Sequence, residues 1–514
     1  MNASGRLCRT TLLLVIVLLC ACGLQQSPRI LGEPGSRMDV LHAHTAYTLA
    51  QTYLKRGQYT EAIVTYEQSL RQVAYFDEVA RTRLRAQYGL SQEGVERELA
   101  IARSLAQKST AVGGTSRELE RLRERVLTEF YPYSRGTPTA DSIGPGTQIA
   151  RGTWQAARGL LPPEILEAVI DGELVILVQE TTDLPPSEEY IVATLGYGDQ
   201  VRLTNDGKAL AGYVAGRPFP LLEMADPQAG LKAAWNLRYQ DGGDRLEQWS
   251  ETLVRDRQSR MRYLFSAYVA RACGMYRARP QHRLPEWEQQ GIVAKDYVEI
   301  FFPLAGQARR TLLLLRSHYD NALHPLRQWA MTPIGRKLTT LTYHPESSAL
   351  GFTMLPEDVA GGQIAAYDWR LLATTKALVP GLVQNDQALF GGSGGGYPLD
   401  LWEVRQVYVL EVVPRSAHPP YGRKLLYVDR QTFTPFYAVI FDAHNVHWRT
   451  TFFSYGNPAF SPDNHHVRVP ILLGQSWIDY HTGRTVVSLV NKARYNQTLP
   501  SALFTLSGLL QRGK

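Results

Sequence analysis

Two textures divide the chain. Between about residues 42 and 130, apolar side chains recur every three or four positions. From about 290 to the end they come in short runs separated by turn-forming residues. The first pattern predicts helices, the second antiparallel strands. Within the helical part, 46–72 reads as a hairpin, with Gly57 breaking its first helix and Gln58 opening the turn. Ala50 and Ala62 let the two helices approach; Leu49, Tyr53, Tyr59 and Tyr66 are the large residues expected around them. One hairpin cannot cover its own apolar face, so later helices must do so. The candidates are 77–107, interrupted near Gly89 and Gly94, and 116–130, where Leu119, Leu122, Val126 and Phe130 share a face. A Pro/Gly/Ser/Thr-rich stretch at 131–147 marks a boundary. Beyond it, 153–170 predicts two short helices meeting at Pro162 and Pro163, and 230–239 and 246–270 also read as helical.

The strand predictions fall at 296–302, 309–319, 336–344, 404–413, 423–430, 435–442, 446–455, 468–480 and 484–491. Connections as short as 429–432, 442–445 and 481–484 make successive strands antiparallel neighbours. Several strands are apolar on both sides. Such a sheet must cover both faces, or keep one curved face for an apolar ligand.

The N-terminus adds an address. Arg6 and Arg9 precede the uncharged run "TLLLVIVLL" (11–19), too short for a permanent span and fitted to a signal core. It ends in Leu19-Cys20-Ala21-Cys22, the form of a bacterial lipobox, which predicts cleavage after Ala21 and a diacylglycerol on Cys22. Gly23, rather than Asp, follows the lipidated position and favours the outer membrane of a Gram-negative host. Residues 22–40 read as a flexible tether. Only Cys273 would remain as a thiol, so the mature chain can form no internal disulfide. The net charge of +7 is mild for 514 residues, and two of those charges leave with the signal. No dense basic run interleaved with aromatics points to nucleic acid.

Three stretches raise questions of chemistry. In "FDAHNVHW" (441–448), Asp442, His444 and His447 are all metal-binding types, and His465 and His466 could join them. The Asp-Ala-His-Asn order is also a strong turn former, and the turn reading is preferred. "GGSGGG" (391–396) contains a literal G-x-S-x-G around Ser393, but no helical period follows, as a nucleophile elbow requires. It reads as a flexible loop near a cavity mouth. Tyr397, Trp402, Tyr408, Trp448, Phe452, Phe453, Tyr455 and Trp477 crowd the last third, as core or as the wall of an apolar cavity.

Two resemblances follow. Residues 46–72 resemble a tetratricopeptide repeat, with Ser69 where that motif prefers Ala and no closing Pro. The stretches 146–162, 216–236, 367–380 and 407–449, in that order, resemble the domain-of-unknown-function family 1329, often labelled outer-membrane lipoprotein-sorting protein. That resemblance implies a fold similar to the lipoprotein carriers LolA and LolB: an open half-barrel whose helices close over an apolar cavity. In the family pattern Asp442, Trp448 and Arg449 match, whereas His444 and His447 occupy variable turn positions, which argues further against a metal.

The expected architecture is therefore α+β. A signal peptide (1–21) and tether (22–40) precede a helical module (41–130), a linker (131–145) and a curved antiparallel half-barrel with covering helices (146–510). The expected protein is a non-enzymatic, lipid-anchored envelope protein without metal or cofactor. It would bind a lipid or other hydrophobic ligand, with the helical module docking a partner such as an envelope transporter. Tyr408, Leu410, Leu426, Val439 and Phe452 are the expected cavity residues, with the inward alternation left open. The alternatives are an interaction scaffold with a filled barrel and an uncharacterised hydrolase using Ser393 or the histidines.

Overall fold

The computed structural model describes residues 37–512, apart from 56–58, 75, 111–115, 134–142, 205, 257–259, 280–283, 303–309, 321–325, 333–336, 342–363 and 416–420. The lipobox, with Cys22, lies outside the described residues. The chain forms two compact units that divide between Ala111 and Val112.

The first unit holds two helical hairpins, α1 (Arg37–Lys55) with α2 (Tyr59–Ala74), and α3 (Glu78–Tyr88) with α4 (Gln92–Thr110). Ala50, Ala62 and Tyr66 are fully buried in a core that Leu84, Val95 and Leu99 complete from the second hairpin. Ser69 is also fully buried, and its hydroxyl donates to the Ala43 carbonyl of α1 at 2.9 Å. A serine at a small-residue position thus costs no unmet hydrogen bond. Leu49, expected in this contact, is instead 45% exposed. Asp77 caps α3 by accepting from the Ala80 amide at 2.7 Å, and Gly89 ends it with φ near +63°. Gly94 interrupts nothing: it lies in the first turn of α4, its amide held by Ser91 Oγ at 3.1 Å.

Helix α5 (Ser116–Phe130), read from sequence as part of the helical module, belongs to the second unit. Val126 and Phe130 pack with Tyr190 and Ile191 of α7 (Glu188–Tyr197). The helix α6 (Pro163–Ile170) and the 3-10 turn Trp154–Ala157 flank Pro162, as the prolines predicted, and α8 spans Ala229–Arg238.

The second unit is built on one sheet of fourteen described strands. In chain order these are β1 (Arg245–Arg255), β2 (Met261–Cys273), β3 (Ile292–Phe302), β4 (Arg310–Tyr319), β5 (Leu326–Thr332) and β6 (Lys337–Leu341). Then come β7 (Tyr367–Pro380), β8 (Leu382–Val383), β9 (Trp402–Pro414), β10 (Arg423–Asp429), β11 (Pro435–Phe441), β12 (His447–Gly456), β13 (Ile471–Asp479) and β14 (Arg484–Tyr495). Their spatial order is β6-β5-β4-β3-β2-β1-β14-β13-β12-β11-β10-β9-β7, antiparallel throughout. The result is a large curved sheet that does not close. At one end it curls tightly: past Gly381, β7 continues as β8, which pairs in parallel with β12. Gly381 is required there, because a Cβ would sit 2.7 Å from the Leu401 carbonyl oxygen.

The helical expectation for 246–270 is overturned, since these residues form β1 and β2. The buried positions of β1 are Gln248, Ser250 and Thr252. A strand whose inward residues are polar shows no apolar alternation, so its period is invisible in the sequence.

Candidate functional site

Cross-strand partners share a face, so the register sorts the five expected cavity residues. Leu410, Leu426, Ala438, Thr451, Trp477 and Val486 form one row across β9 to β14, and Tyr408 lies on the same face of β9. Phe452 belongs to the row Val409–Tyr427–Tyr437–Phe452–Ser476, and Val439 to Leu425–Val439–Thr450–Ile478, both on the opposite face. The five therefore do not share one surface. All are at most 2% exposed and sit in one large core cluster. Phe452 packs against Tyr397, Trp402 and Tyr437, with ring centroids about 6 Å apart. The Tyr408 hydroxyl donates to Glu129 of α5 at 2.8 Å.

Beneath the curl lies a buried charge cluster that sequence reading missed. Arg405 is fully buried and pairs with Glu403 at 2.8 Å and Asp429 at 2.9 Å, both equally buried. It also donates to the Thr182 carbonyl at 2.7 Å, and its guanidinium lies 5.0 Å from the Tyr133 ring centroid. Burial pulls the Arg405 pKa down, but Asp429, Tyr133 and Glu403 together hold it well above the ordinary arginine value. Asp429 meanwhile accepts from the Thr432 amide and hydroxyl, which shapes the β10–β11 turn. Nothing here is open to a substrate; the cluster fastens α5 and the 181–184 segment to the sheet. The signal available in sequence was a Glu-x-Arg pair near the start of a strand whose other residues are mostly apolar.

Open space lies elsewhere. A pocket of about 150 Å³ opens where β1 begins and β2 and β14 end. Its wall includes Leu246, Gln248, Arg271, Cys273, Tyr455 and Tyr495, with Arg238 at the end of α8 and Asp241 beyond it. Leu246, Arg271 and Tyr495 belong to a ladder row that continues through Asp296, Arg316 and Gln328. Asp296 is 1% exposed, with His318 Nε2 at 2.7 Å and Arg271 Nε at 3.7 Å. Burial pushes its carboxyl up, but Arg271, His318 and Arg316 outweigh that and hold it well below the usual carboxylate range. Burial pushes the Cys273 thiol up, which makes it a poor nucleophile. The adjacent row is apolar beyond Gln248: Val269, Val298, Leu314 and Ala330. With Phe265, Ala267 and Ile300 these form a cluster of their own, distinct from the main core. None of the five expected residues lines the pocket.

The hairpin "DAHN" is a turn. Asp442 Oδ1 accepts from the His444 and Val446 amides, each at 2.9 Å, and Asn445 takes φ near +62°. His447 Nε2 lies 2.9 Å from Thr450 Oγ1 instead. His465 and His466 contact the carbonyls of Pro462 and Tyr495. The glycine-rich stretch, expected as a mobile cover, is a packed layer. Added Cβ atoms would reach Arg255 at Gly395 and Ile478 and Thr485 at Gly396. The Ser476 hydroxyl donates to the Gly396 carbonyl. The turn Ser393–Gly395 leads into the strand Tyr397–Pro398, not into a helix, so the elbow context is absent.

A family model described as "Protein of unknown function (DUF1329)" matches residues 158–509. The chain belongs to the DUF1329 family. No curated protein matches the chain. Among solved structures, it is similar to a DUF1329 family protein from Desulfovibrio piger, at 16% identity and TM-score 0.38, over 55% of this chain and 100% of that one. It is also similar to a putative outer membrane lipoprotein-sorting protein domain from Vibrio parahaemolyticus, at 15% identity and TM-score 0.37, with the same coverage. A LolA superfamily protein from Nitrosomonas europaea gives 13% identity and TM-score 0.31, over 55% and 99% of the respective chains. Among the described residues of the DUF1329 region, the expected cavity residues of β9 to β12 are packed, and a pocket lies beside β1, β2 and β14.

Proposed function

We propose that this protein holds a lipid or other hydrophobic ligand on the apolar face of β2 to β5, as a non-enzymatic protein of the cell envelope. The observation that supports this reading is the separate apolar cluster of Phe265, Ala267, Val269, Val298, Ile300 and Leu314, whose row runs into the Leu246–Arg271 pocket. Binding there needs no bond to be made or broken. Its driving force is burial of apolar area, about 25 cal/mol per Å². These side chains are buried, so a ligand reaching them replaces the protein atoms that cover them. Membership of DUF1329 and the half-barrel architecture agree with this role.

The proposal includes a lipid anchor on Cys22 at the periplasmic side of the outer membrane. Cys22→Ser should release the chain from membranes or leave its precursor uncleaved; normal processing with membrane retention would refute the anchor. The helical module is proposed to dock a partner, which pull-down from envelope extracts with and without residues 37–110 would reveal. Native mass spectrometry of protein taken from membrane extracts should show co-purified lipid, and bare protein in every preparation would count against the carrier reading. A second reading is an interaction scaffold. It is favoured by one observation, that the five expected cavity residues are packed into a filled core.

A further inference from the structure

The pocket at the start of β1 has a composition that selects among ligands. Arg238, Arg245 and Arg271 line it, together with Asp241 and Asp244. Behind Arg271 stands Asp296, 3.7 Å away. Asp241 and Asp244 stand on the same wall, so an anion that entered beside these arginines would also meet two carboxylates. Two carboxamide oxygens add a demand that an acceptor-only anion cannot meet. Gln248, only 3% exposed, lines the pocket with its carboxamide oxygen lacking any hydrogen-bond partner, and the Gln240 oxygen is in the same condition. Buried acceptors without donors are uncommon in folded proteins and call for one. Tyr455, Tyr495, Leu246 and Leu472 supply apolar and aromatic wall around these groups.

Hydroxyl groups answer this arrangement. Each donates to a carboxamide oxygen and accepts from a guanidinium, and the carbon skeleton between hydroxyls packs on tyrosine and leucine. We propose that this pocket receives an uncharged, hydroxyl-bearing head, of the glycerol or sugar type, of a lipid whose chain follows the apolar strip. Val269, Ala267 and Phe265 of β2 carry that strip away from Arg271 for about 20 Å, at ~3.4 Å per strand residue. The inference rests on the carrier reading above and adds the class of head group.

The test uses the full mature chain and a fluorescent hydrophobic probe, displaced in parallel by a monoacylglycerol, the fatty acid and the alkyl phosphate of equal chain length. The acylglycerol should compete about ten-fold better than either anion, the worth of about one hydrogen bond to a buried acceptor. Gln248→Leu should bring that preference to within about two-fold while leaving fatty-acid competition unchanged. If Gln248→Leu does not fold, Gln240→Leu, on the less buried part of the wall, should show a smaller loss in the same direction. Equal competition by all three, preference for an anion, or a preference that survives both substitutions would overturn the head-group assignment and leave the carrier reading standing. Failure of the probe and of every amphiphile to bind would overturn both.

Discussion

The two ends of the sheet solve the same burial problem differently. In the curl, β9 to β12 are covered on both faces, and Leu410, Leu426, Val439 and Phe452 have no measurable exposure. In the wing, β2 to β5 split their apolar residues into two smaller clusters. One is closed by Leu503, Phe504 and Leu509, the last of these on the terminal helix α9 (Leu506–Arg512), and the other runs into a polar pocket. The curl also locks Glu403, Arg405 and Asp429 into full burial, whereas the pocket beside the wing has the unmet Gln240 and Gln248 oxygens in its wall. Dense packing on both faces stabilises a fold but leaves no room for a guest. An end with thinner clusters beside an open pocket contributes less to stability and can accept one.

Three substitutions test this contrast, and a fourth probes the helical module. The largest effect should come from Arg405→Ala. It strands Glu403 and Asp429 without a counter-charge, and breaking such a buried pair costs roughly 3–5 kcal/mol. Urea unfolding of the β-unit should reveal it; a loss under 1 kcal/mol would mean that the cluster is not a fastening. Leu410→Ala comes next, at about 2–5 kcal/mol, because its fully packed surroundings can collapse little around the hole. Its probe binding should stay native. In the wing, Val298→Ala should cost less, about 1–2 kcal/mol for two lost methyl groups, but should weaken binding of a hydrophobic probe. Reversal of these two binding results would move the ligand to the curl. Ala62→Leu should overpack the α1–α2 contact by roughly 1–3 kcal/mol. Limited proteolysis should then cut faster within 42–75, with the β-unit's own transition unmoved.

The last test concerns pH. The carboxyl of Asp296 is depressed in the folded state, so its contribution is present above the unfolded value of about 3.9 and is lost as pH falls below it. Asp296→Asn should therefore flatten the acid limb of the stability curve below about pH 4 while lowering stability at neutral pH. An unchanged acid limb would show that Arg271, His318 and Arg316 do not act on this carboxyl as a set.

Much of this organisation is legible in the chain itself. Helical periodicity located the first module, and Asp77 and Gly89 mark helix ends by their local backbone chemistry. Strands with short turns gave the meander β9 to β12, because an antiparallel neighbour is set by the turn between them. The Asp442 turn could be preferred over a metal site because Asp and Asn shape such turns with their own side chains and backbone. Other features required the tertiary structure. Strand β1 hides its inward face behind Gln248, Ser250 and Thr252, and its partner β14 lies more than 200 residues away. A bulge at Ser454/Tyr455 and others like it shift register, so no alternation read within one strand says which face meets which. Helix α5 carries an Arg/Glu pattern that looks like a solvated face, yet Glu129 on it is bound by Arg430 at 2.7 Å and by Tyr408. Local propensity and turn chemistry act over a few residues and can be read in order along the chain. Faces, charge partners and empty space arise from contacts between distant segments, and only the folded sheet decides them.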